Sequence, residues 1–215
     1  MTCTTARMID PRDEGRALDA WLQDPSWSGP DGLSRPPLAP APRSEGFLAF
    51  ACPGVEGGKA LGLQASVVDA AAKAWGLVLC EADGARRLPL KAPAGHEPLV
   101  PPSSSLVVAL MGLDAIGRPL DEAYVCRAEL VARICGGPLG RAIDAEDLLR
   151  LAIHPDGAFK GCPRNARRFL ILNKAELVDP NMARALAASI RRAYPGLRVC
   201  LANAATGDEI DAREA

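Results

Sequence analysis

Short apolar runs along this chain are separated by segments with helical spacing of apolar residues or by polar loops. A continuous apolar run of this kind is typical of a strand in a buried parallel sheet. The predicted strands are residues 46–51, 77–80, 106–111, 169–172 and 197–201.

The intervals between these runs carry the helix signals. The predicted helices are residues 16–22 after an Asp10-Pro11 start, 65–75, 121–134, 144–153 and 179–193. Strands that alternate with helices in this way indicate an α/β fold with a mostly parallel sheet and right-handed crossovers. We expect a single domain over residues 1–215, with a proline-rich loop at 24–45 and a tail at 208–215.

Composition narrows the class of protein. With 215 residues, 48% of them apolar, the chain can bury a substantial core, and a net charge of −1 argues against a basic nucleic-acid binder. The first residues carry no apolar segment typical of a secretory signal, and no apolar stretch approaches the length of a membrane span. The seven cysteines include no C-x-x-C pair, which favours a reducing compartment. We therefore expect a cytoplasmic protein with neither a nucleic-acid nor a membrane partner.

The stretch Gly76–Pro98 carries the first candidate site. Its apolar run ends in Glu81 and Asp83, with Gly84 in the turn that follows. Ligands of open α/β sheets bind at the carboxyl ends of strands, and two carboxylates there suit Mg²⁺ or a water held near a phosphate. Glu81 and Asp83 are therefore candidate catalytic residues and metal ligands. An ordinary strand end with a solvated loop explains the same residues equally well.

Basic residues follow these carboxylates directly. Arg86, Arg87 and Lys91 can hold a phosphate or an acidic partner. They can equally form a solvated surface that balances the neighbouring acidic side chains. Two later predicted strands also end in polar groups, Asn173-Lys174-Ala175-Glu176 and Asn203-Ala204-Ala205-Thr206-Gly207. Polar residues collect at strand ends in many sheets, so the pattern alone leaves the ordinary interpretation open.

The string EADGARRLPLKAPAGHEP, residues 81–98, closely resembles the selenium-dependent hydroxylase accessory protein family, often called YqeC. The resemblance continues through VPPSSSLVVALMGLDAIGRPL and HPDGAFKGCPRNARRFLILNKAELVDP and covers most of the chain. It implies a P-loop NTPase-like α/β domain that helps selenium-dependent molybdenum hydroxylases to mature. It also implies a hydroxylase of that class, or one of its maturation factors, as the partner.

In chain order, the three polar strand ends resemble the later signatures of GTPase-like P-loop proteins. Glu81–Gly84 takes the place of the acidic segment that reaches the metal and the γ-phosphate, Asn173–Glu176 resembles the base-reading N-K-x-D, and Asn203–Gly207 resembles the loop behind the base. Glu176 is one methylene longer than the usual Asp, which leaves guanine specificity open. The implied cofactors are Mg²⁺ and GTP or ATP. The implied cofactor-binding residues are Arg86, Arg87, Lys91, Asn173, Lys174, Glu176 and Thr206.

A P-loop protein needs a strand, a glycine-rich loop and a helix before its second strand. The opening TCTTARM resembles the family's threonine-rich strand end, which normally follows that unit. Gly54–Ala60 resembles G-x-x-x-x-G-K-[ST] only superficially, because it is one residue short and Ala60 replaces the hydroxyl; a hairpin or connecting turn is the better prediction there. We therefore expect the first strand and the P-loop to be missing and an apolar groove, which a homodimer can cover, in their place.

These expectations lead to two functional hypotheses. The first is an accessory protein of the NTPase type with an incomplete nucleotide site, which binds nucleoside triphosphate weakly or not at all and is inactive alone. The second is a non-catalytic binding or scaffold protein that keeps the fold without nucleotide chemistry.

Overall fold

The structure is a computed structural model that describes residues 1–6, 8–9, 20–23 and 49–209. The chain divides into two compact units, Met1–Gly84 with Pro98–Ser104, and Ala85–Glu97 with Ser105–Ala215. Both contain parallel strands and helices, so the predicted α/β class is confirmed. A single domain over the whole chain stays a prediction, and the predicted loop at 24–45 lies outside the described residues.

The first unit contains a parallel sheet and a small antiparallel one. Its elements in chain order are β1 (Thr2–Thr4), β2 (Met8–Ile9), β3 (Ala20–Gln23), β4 (Ala49–Cys52), β5 (Val55–Glu56), β6 (Lys59–Ala60), α1 (Ala65–Ala72) and β7 (Leu79–Glu81). The parallel sheet has the order β3-β4-β1-β7, and the small sheet has the order β2-β6-β5. Buried Val67, Val68 and Ala71 of α1 pack with Cys3 and Ala51 in one core cluster.

The segment Gly54–Ala60 is a β-hairpin, as predicted. β5 and β6 pair antiparallel and are joined by Gly57 and Gly58, whose φ angles are 57° and 70°. Two consecutive residues with positive φ are typical of a type I′ hairpin turn, which glycine adopts without steric cost. The Gly-Lys pair is therefore part of a hairpin, and this segment has no P-loop geometry.

Two predictions for the first unit are wrong. Residues 20–22 belong to strand β3, which pairs in parallel with β4, whereas the helix predicted over 16–22 covered them. Sheet pairing outweighs a weak local helix signal here. The run at residues 77–80 was expected to be a buried strand, but β7 is an edge strand, and Leu77 and Leu79 are 66% and 56% exposed.

The second unit contains a mostly parallel sheet and a layer of helices. Its elements in chain order are β8 (Leu90–Lys91), β9 (Leu106–Gly112), β10 (Val125–Cys126), α2 (Ala128–Cys135), α3 (Ala145–Ile153), β11 (Arg167–Asn173), α4 (Pro180–Ala193), β12 (Arg198–Asn203) and β13 (Asp208–Glu209). The main sheet has the order β13-β12-β11-β9, in which only β13 is antiparallel. Its core includes Leu148 and Leu151 of α3, Leu170 and Leu172 of β11, and Ile190 of α4, all fully buried.

Side-chain caps explain where two of these helices begin. Asp144 accepts a hydrogen bond from Asp147 N at the start of α3, and Asp179 accepts one from Met182 N at the start of α4. Pro180 occupies the first turn of α4, where no backbone donor is needed. The helices predicted over 144–153 and 179–193 are therefore confirmed.

Two element boundaries in this unit differ from the predictions. The helix expected over 121–134 starts only at Ala128, because Arg127 adopts a left-handed conformation and Val125–Cys126 pairs with β8. Glu122 accepts from Ala128 N at 2.8 Å at this start. Asp208–Glu209, which the predicted tail included, forms β13 on the edge of the sheet. No helix within the described ranges is long and apolar enough to cross a membrane.

Candidate functional site

The carboxyl edge of the second unit's sheet brings three polar segments together. β9, β11 and β12 are neighbouring parallel strands, and Asn173 at the end of β11 is in register with Gly112 of β9 and Ala202 of β12. The segments that follow the three strands therefore leave the sheet side by side. This edge is where ligands of open α/β sheets bind.

Asn173 connects the ends of β11 and β12. Its side-chain Oδ1 accepts a hydrogen bond from the backbone N of Ala204 at 2.8 Å. Asn203 reinforces the same turn, since its Oδ1 accepts from Ala205 N at 3.0 Å. Because the oxygen of Asn173 is used in this way, its amide nitrogen is the group with which the side chain can donate to a ligand.

Lys174 is held by an acidic residue from the end of β9. Its Nζ lies 2.7 Å from Asp114 Oδ2, and its backbone is left-handed, with φ 60°. Asp114 Oδ1 is buried and has no hydrogen-bond partner among the described residues. Gly112 is needed beside it, because a Cβ there would collide with Asp114 Oδ1 and with Pro89. The lysine head is thus fixed while its aliphatic stem remains available along the edge of the site.

Two clefts flank the segment that follows β12. The larger, of about 350 Å³, is lined by residues that include Glu176, Arg184, Asn203 and Asp208. The smaller, of about 240 Å³, is lined by apolar residues of β11 and β12 and also by Ala204. Thr206 donates its hydroxyl to Asp208 Oδ2 at 2.7 Å, which orients that carboxylate. The clefts give this edge both apolar walls and carboxylates.

The carboxylates Glu81 and Asp83 belong to the first unit. Glu81 ends β7, and its backbone carbonyl accepts from Thr5 N at 3.0 Å and from Thr4 Oγ1 at 2.9 Å. The other predicted site residues, from Arg86 to Thr206, belong to the second unit. Their meeting in one cleft therefore stays a prediction.

Glu81 and Asp83 give only a partial set of magnesium ligands. The described ranges contain no group of three or more His, Cys, Asp or Glu side chains that could hold a metal ion. Mg²⁺ commonly uses one or two carboxylates and takes its other ligands from water and phosphate. Water or phosphate would have to supply the remaining ligands of a Mg²⁺ bound to this pair, and the metal role stays a prediction.

Arg86 and Arg87 occupy the two central positions of a tight turn. Their φ angles are 54° and 62°, and Leu88 N donates to Ala85 O at 2.9 Å. Two positive φ angles define a type I′ turn, which normally carries Asn or Gly because a Cβ is strained in this conformation. Both arginine side chains are exposed. The turn therefore holds two consecutive exposed arginines at a conformational cost.

Lys91 is buried in an ion-pair cluster instead of on an open loop. Its side chain is 7% exposed, and its Nζ lies 2.7 Å from Glu97 Oε2. Arg127 binds the same carboxylate in a bidentate manner, at 2.7 and 2.8 Å. Partial burial opposes ionisation, but the hydrogen bonds from Arg127 and Lys91 outweigh it and lower the pKa of Glu97 to about 2. The cluster fixes this segment, which leaves Lys91 poorly placed to hold a cofactor.

Sequence reasoning missed two acidic residues at this edge. Asp114 comes two residues after the end of β9, so its position at a strand end was a usable signal for the Lys174 pair. Asp208 had no such signal, because it was assigned to the tail. Its place in the cleft depends on β13 pairing back onto β12.

Comparison with known proteins identifies the relatives of this chain. The family model described as YqeC protein matches residues 1–129. An Escherichia coli (strain K12) protein named "Uncharacterized protein YqeC" is 38% identical over 119 residues, which are 54% of this chain and 46% of that protein. The match thus spans about half the length of this curated relative. No solved structure matches.

Proposed function

We propose a function from the premise that this chain belongs to the YqeC family, whose model matches more than half of it. The chain binds a purine nucleotide at the carboxyl edge of the second unit's sheet. It serves as an accessory protein in the maturation of selenium-dependent molybdenum hydroxylases. The nucleotide site rests on the geometry of that edge, and the hydroxylase rests on the family resemblance of residues 81–98 and the strings that follow them.

The observation that carries the proposal is the hydrogen bond from Ala204 N to Asn173 Oδ1, 2.8 Å long. It fixes the Asn-Lys pair against the loop after β12 and leaves the Asn173 amide nitrogen to donate to N7 of a purine. Lys174, held by Asp114, presents its stem to one face of the base. The base would then lie between Asn173-Lys174 and Ala204–Thr206.

Carboxylates supply the specificity for guanine. Guanine has two adjacent donors on its pairing edge, which one carboxylate can accept together. Glu176 and Asp208 both line the larger cleft beside this loop. Glu176 is exposed and follows Lys174 in a short 3₁₀ turn, so it is the residue we assign to guanine.

The site binds the phosphates of a nucleotide more weakly than the base. The glycine-rich segment Gly54–Ala60 is a hairpin and provides no nest of backbone N–H groups for phosphates. Arg86 and Arg87 are the exposed cations we assign to that role. Affinity should therefore come mostly from the base, with Kd values weaker than about 100 µM, or about −5.5 kcal/mol. We expect no hydrolysis of GTP or ATP above background, with or without Mg²⁺.

Backbone amide NMR of the 215-residue protein tests the base site directly. Titration with GDP should shift the amide signals of Ala204 and Ala205, and Asn173→Ala should abolish these shifts. Asn165→Ala, which changes an exposed asparagine in the loop before β11, is the matched control and should leave them intact. Titration that leaves both amides unmoved, or equal shifts in Asn173→Ala, would remove the site. Micromolar affinity would instead contradict the weak phosphate end.

The alternative, a non-catalytic binding protein, is favoured by a separate observation. Leu106, Val108 and Leu110 alternate along the edge strand β9 and are 43%, 43% and 58% exposed. Apolar rows of this kind commonly mark contacts with other proteins. If Leu110→Ser weakens association with a partner, or between copies in sedimentation, while nucleotide titrations stay silent, the binding function is the better account.

A further inference from the structure

Cys3 and Cys80 lie directly opposite each other on neighbouring parallel strands of the first unit. β1 and β7 pair with Cys3 in register with Cys80. Adjacent strands are about 4.8 Å apart, and register partners point to the same face of a sheet. This spacing lies inside the Cα separation of about 4.4–6.8 Å that a disulfide requires.

The two thiols influence each other's pKa in the reduced state. The neighbouring Cys3 thiol lowers the pKa of Cys80, and this effect outweighs burial, which raises it. The Cys80 sulfur lies 3.9 Å from Thr5 Oγ1. Cys3 keeps its proton, because the neighbouring Cys80 sulfur and burial raise its pKa. Cys80 is therefore the better nucleophile of the pair.

Solvent exposure also favours Cys80 over Cys3 as the first sulfur to react. Cys3 is 2% exposed on the central strand β1, whereas Cys80 is partly exposed on the edge strand β7. A reagent from solvent therefore meets Cys80 first. Cys3 is positioned behind it to complete the reaction.

Register separates this pair from the other cysteines of the described strands. Cys52 is opposite Gln23, Cys126 is opposite Lys91, and Cys200 is opposite Ile171. Among the paired residues that the structure describes, only Cys3 and Cys80 combine cysteine with cysteine.

We propose that Cys3 and Cys80 are a redox-active dithiol whose substrate is a low-molecular-weight disulfide. The Cys80 thiolate attacks one sulfur of the disulfide, forms a mixed disulfide and releases one small thiolate. Cys3 then loses its proton, and its sulfur attacks the Cys80 sulfur, which forms the Cys3–Cys80 bond and releases the second thiolate. Two electrons pass to the substrate, and the two cysteine protons end on its two thiols. This site is independent of the nucleotide site, which lies in the other unit.

The test uses the reduced, folded chain and glutathione disulfide, followed by alkylation and tryptic mass spectrometry. Peptides 1–7 and 74–86 should be recovered joined, with the loss of two hydrogen atoms. Cys3→Ser should instead accumulate one glutathione on Cys80, and Cys80→Ser should leave Cys3 unmodified. Cys200→Ser, a buried cysteine of the second unit, is the matched control and should form the joined peptides as the wild type does.

A second measurement needs no variant. Under native conditions, Cys80 should react with iodoacetamide at least ~10-fold faster than Cys52, which is fully buried on strand β4 of the same sheet. Failure to recover the joined peptides, or alkylation of Cys80 no faster than that of Cys52, overturns the proposal. If glutathione modifies Cys3 in Cys80→Ser as fast as the Cys3–Cys80 bond forms in the wild type, the assigned order of attack is overturned.

Discussion

Glu97 binds two cations of the second unit that are far apart from each other in the sequence. Lys91 precedes it in the same segment, whereas Arg127 lies at the start of α2. The buried lysine is the decisive member, because its ammonium would lose the carboxylate that it binds if Glu97 were neutral. At the residue scale, this cluster explains why Lys91, a candidate ligand-binding cation in the sequence, is engaged by a carboxylate of the protein itself.

Glu97→Gln should destabilise the protein by about 2–3 kcal/mol at pH 7, as measured by chemical denaturation. The pKa of Glu97 in the folded state is about 2, below the ordinary value of 4.5, so the stabilisation is complete above pH 4.5 and is lost as the pH falls towards 2. The difference between wild type and variant should shrink over this range. Glu129→Gln, at an exposed position of α2, should change stability by less than about 0.5 kcal/mol. A difference independent of pH would contradict the ion-pair account.

Glu176→Asp tests the residue assigned to guanine. Glu176 is exposed at the larger cleft, and the shorter aspartate is the usual residue of the N-K-x-D pattern it resembles. We expect the variant to bind GDP as well as or better than wild type, with ADP binding unchanged, in matched titrations. Glu129→Asp is the control on another helix. Equal affinity for GDP and ADP both before and after the change would remove the guanine-reading role.

Arg86→Asn tests the cost of the arginine turn. Asparagine tolerates a positive φ better than arginine, so the variant should be more stable by about 0.5–1 kcal/mol in denaturant unfolding. Arg86→Ala removes the same charge without easing the backbone and should not stabilise. Stabilisation by both changes would point to charge repulsion between neighbouring arginines instead of strain.

At the element scale, side-chain hydrogen bonds fix the start of α3. Asp144 and Asp147 form a capping box, and Asp147 is 3% exposed and also binds Arg141 in a bidentate manner. Hydrogen bonds from Arg141 and from Asp144 N lower the pKa of Asp147 against the effect of burial, which is the largest single influence and acts to raise it. Asp147 thus joins the loop before α3 to the helix itself.

Asp144 and Asp147 should contribute differently to the free energy of unfolding. Asp144→Ala removes one capping bond and should cost about 1 kcal/mol. Asp147→Ala also leaves Arg141 without its carboxylate and should cost about 3 kcal/mol. Thermal or denaturant unfolding of the two variants gives the comparison, with Asp156→Ala in the exposed turn after α3 as the control. Equal losses would show that the Arg141 pair contributes nothing.

Elements that depend on local signals could be predicted from the sequence, and those that depend on distant pairing could not. Asp144, Asp179 and Pro180 mark their helix starts within one turn, and Gly57-Gly58 marks its hairpin. The helix expected over 121–134 starts late because Val125–Cys126 pairs with β8, more than thirty residues earlier in the chain. The apolar run before Glu81 predicted a strand correctly but not its exposure, since an edge strand and a central strand carry the same local pattern.

At the scale of the whole molecule, the sequence predicted which residues belong to the candidate site better than it predicted how the fold brings them together. The sequence identified Asn173, Lys174 and the loop at Thr206 because each follows an apolar strand, and parallel register places their segments side by side. It could not identify Asp208, because that residue reaches the cleft through an antiparallel edge strand. Glu81 and Asp83 lie in the other unit, so their part in a nucleotide site depends on an arrangement that local pattern does not determine.

The central claim is that a purine base lies between Lys174 and the loop after β12. The most direct measurement is a set of intermolecular NOEs from H8 of bound GDP to the protein in solution. The account predicts contacts from H8 to the side-chain methylenes of Lys174 and to the methyl group of Ala204, and their loss in Asn173→Ala but not in Asn165→Ala. Contacts only to residues away from the ends of β11 and β12, or the same contacts in Asn173→Ala, would contradict it.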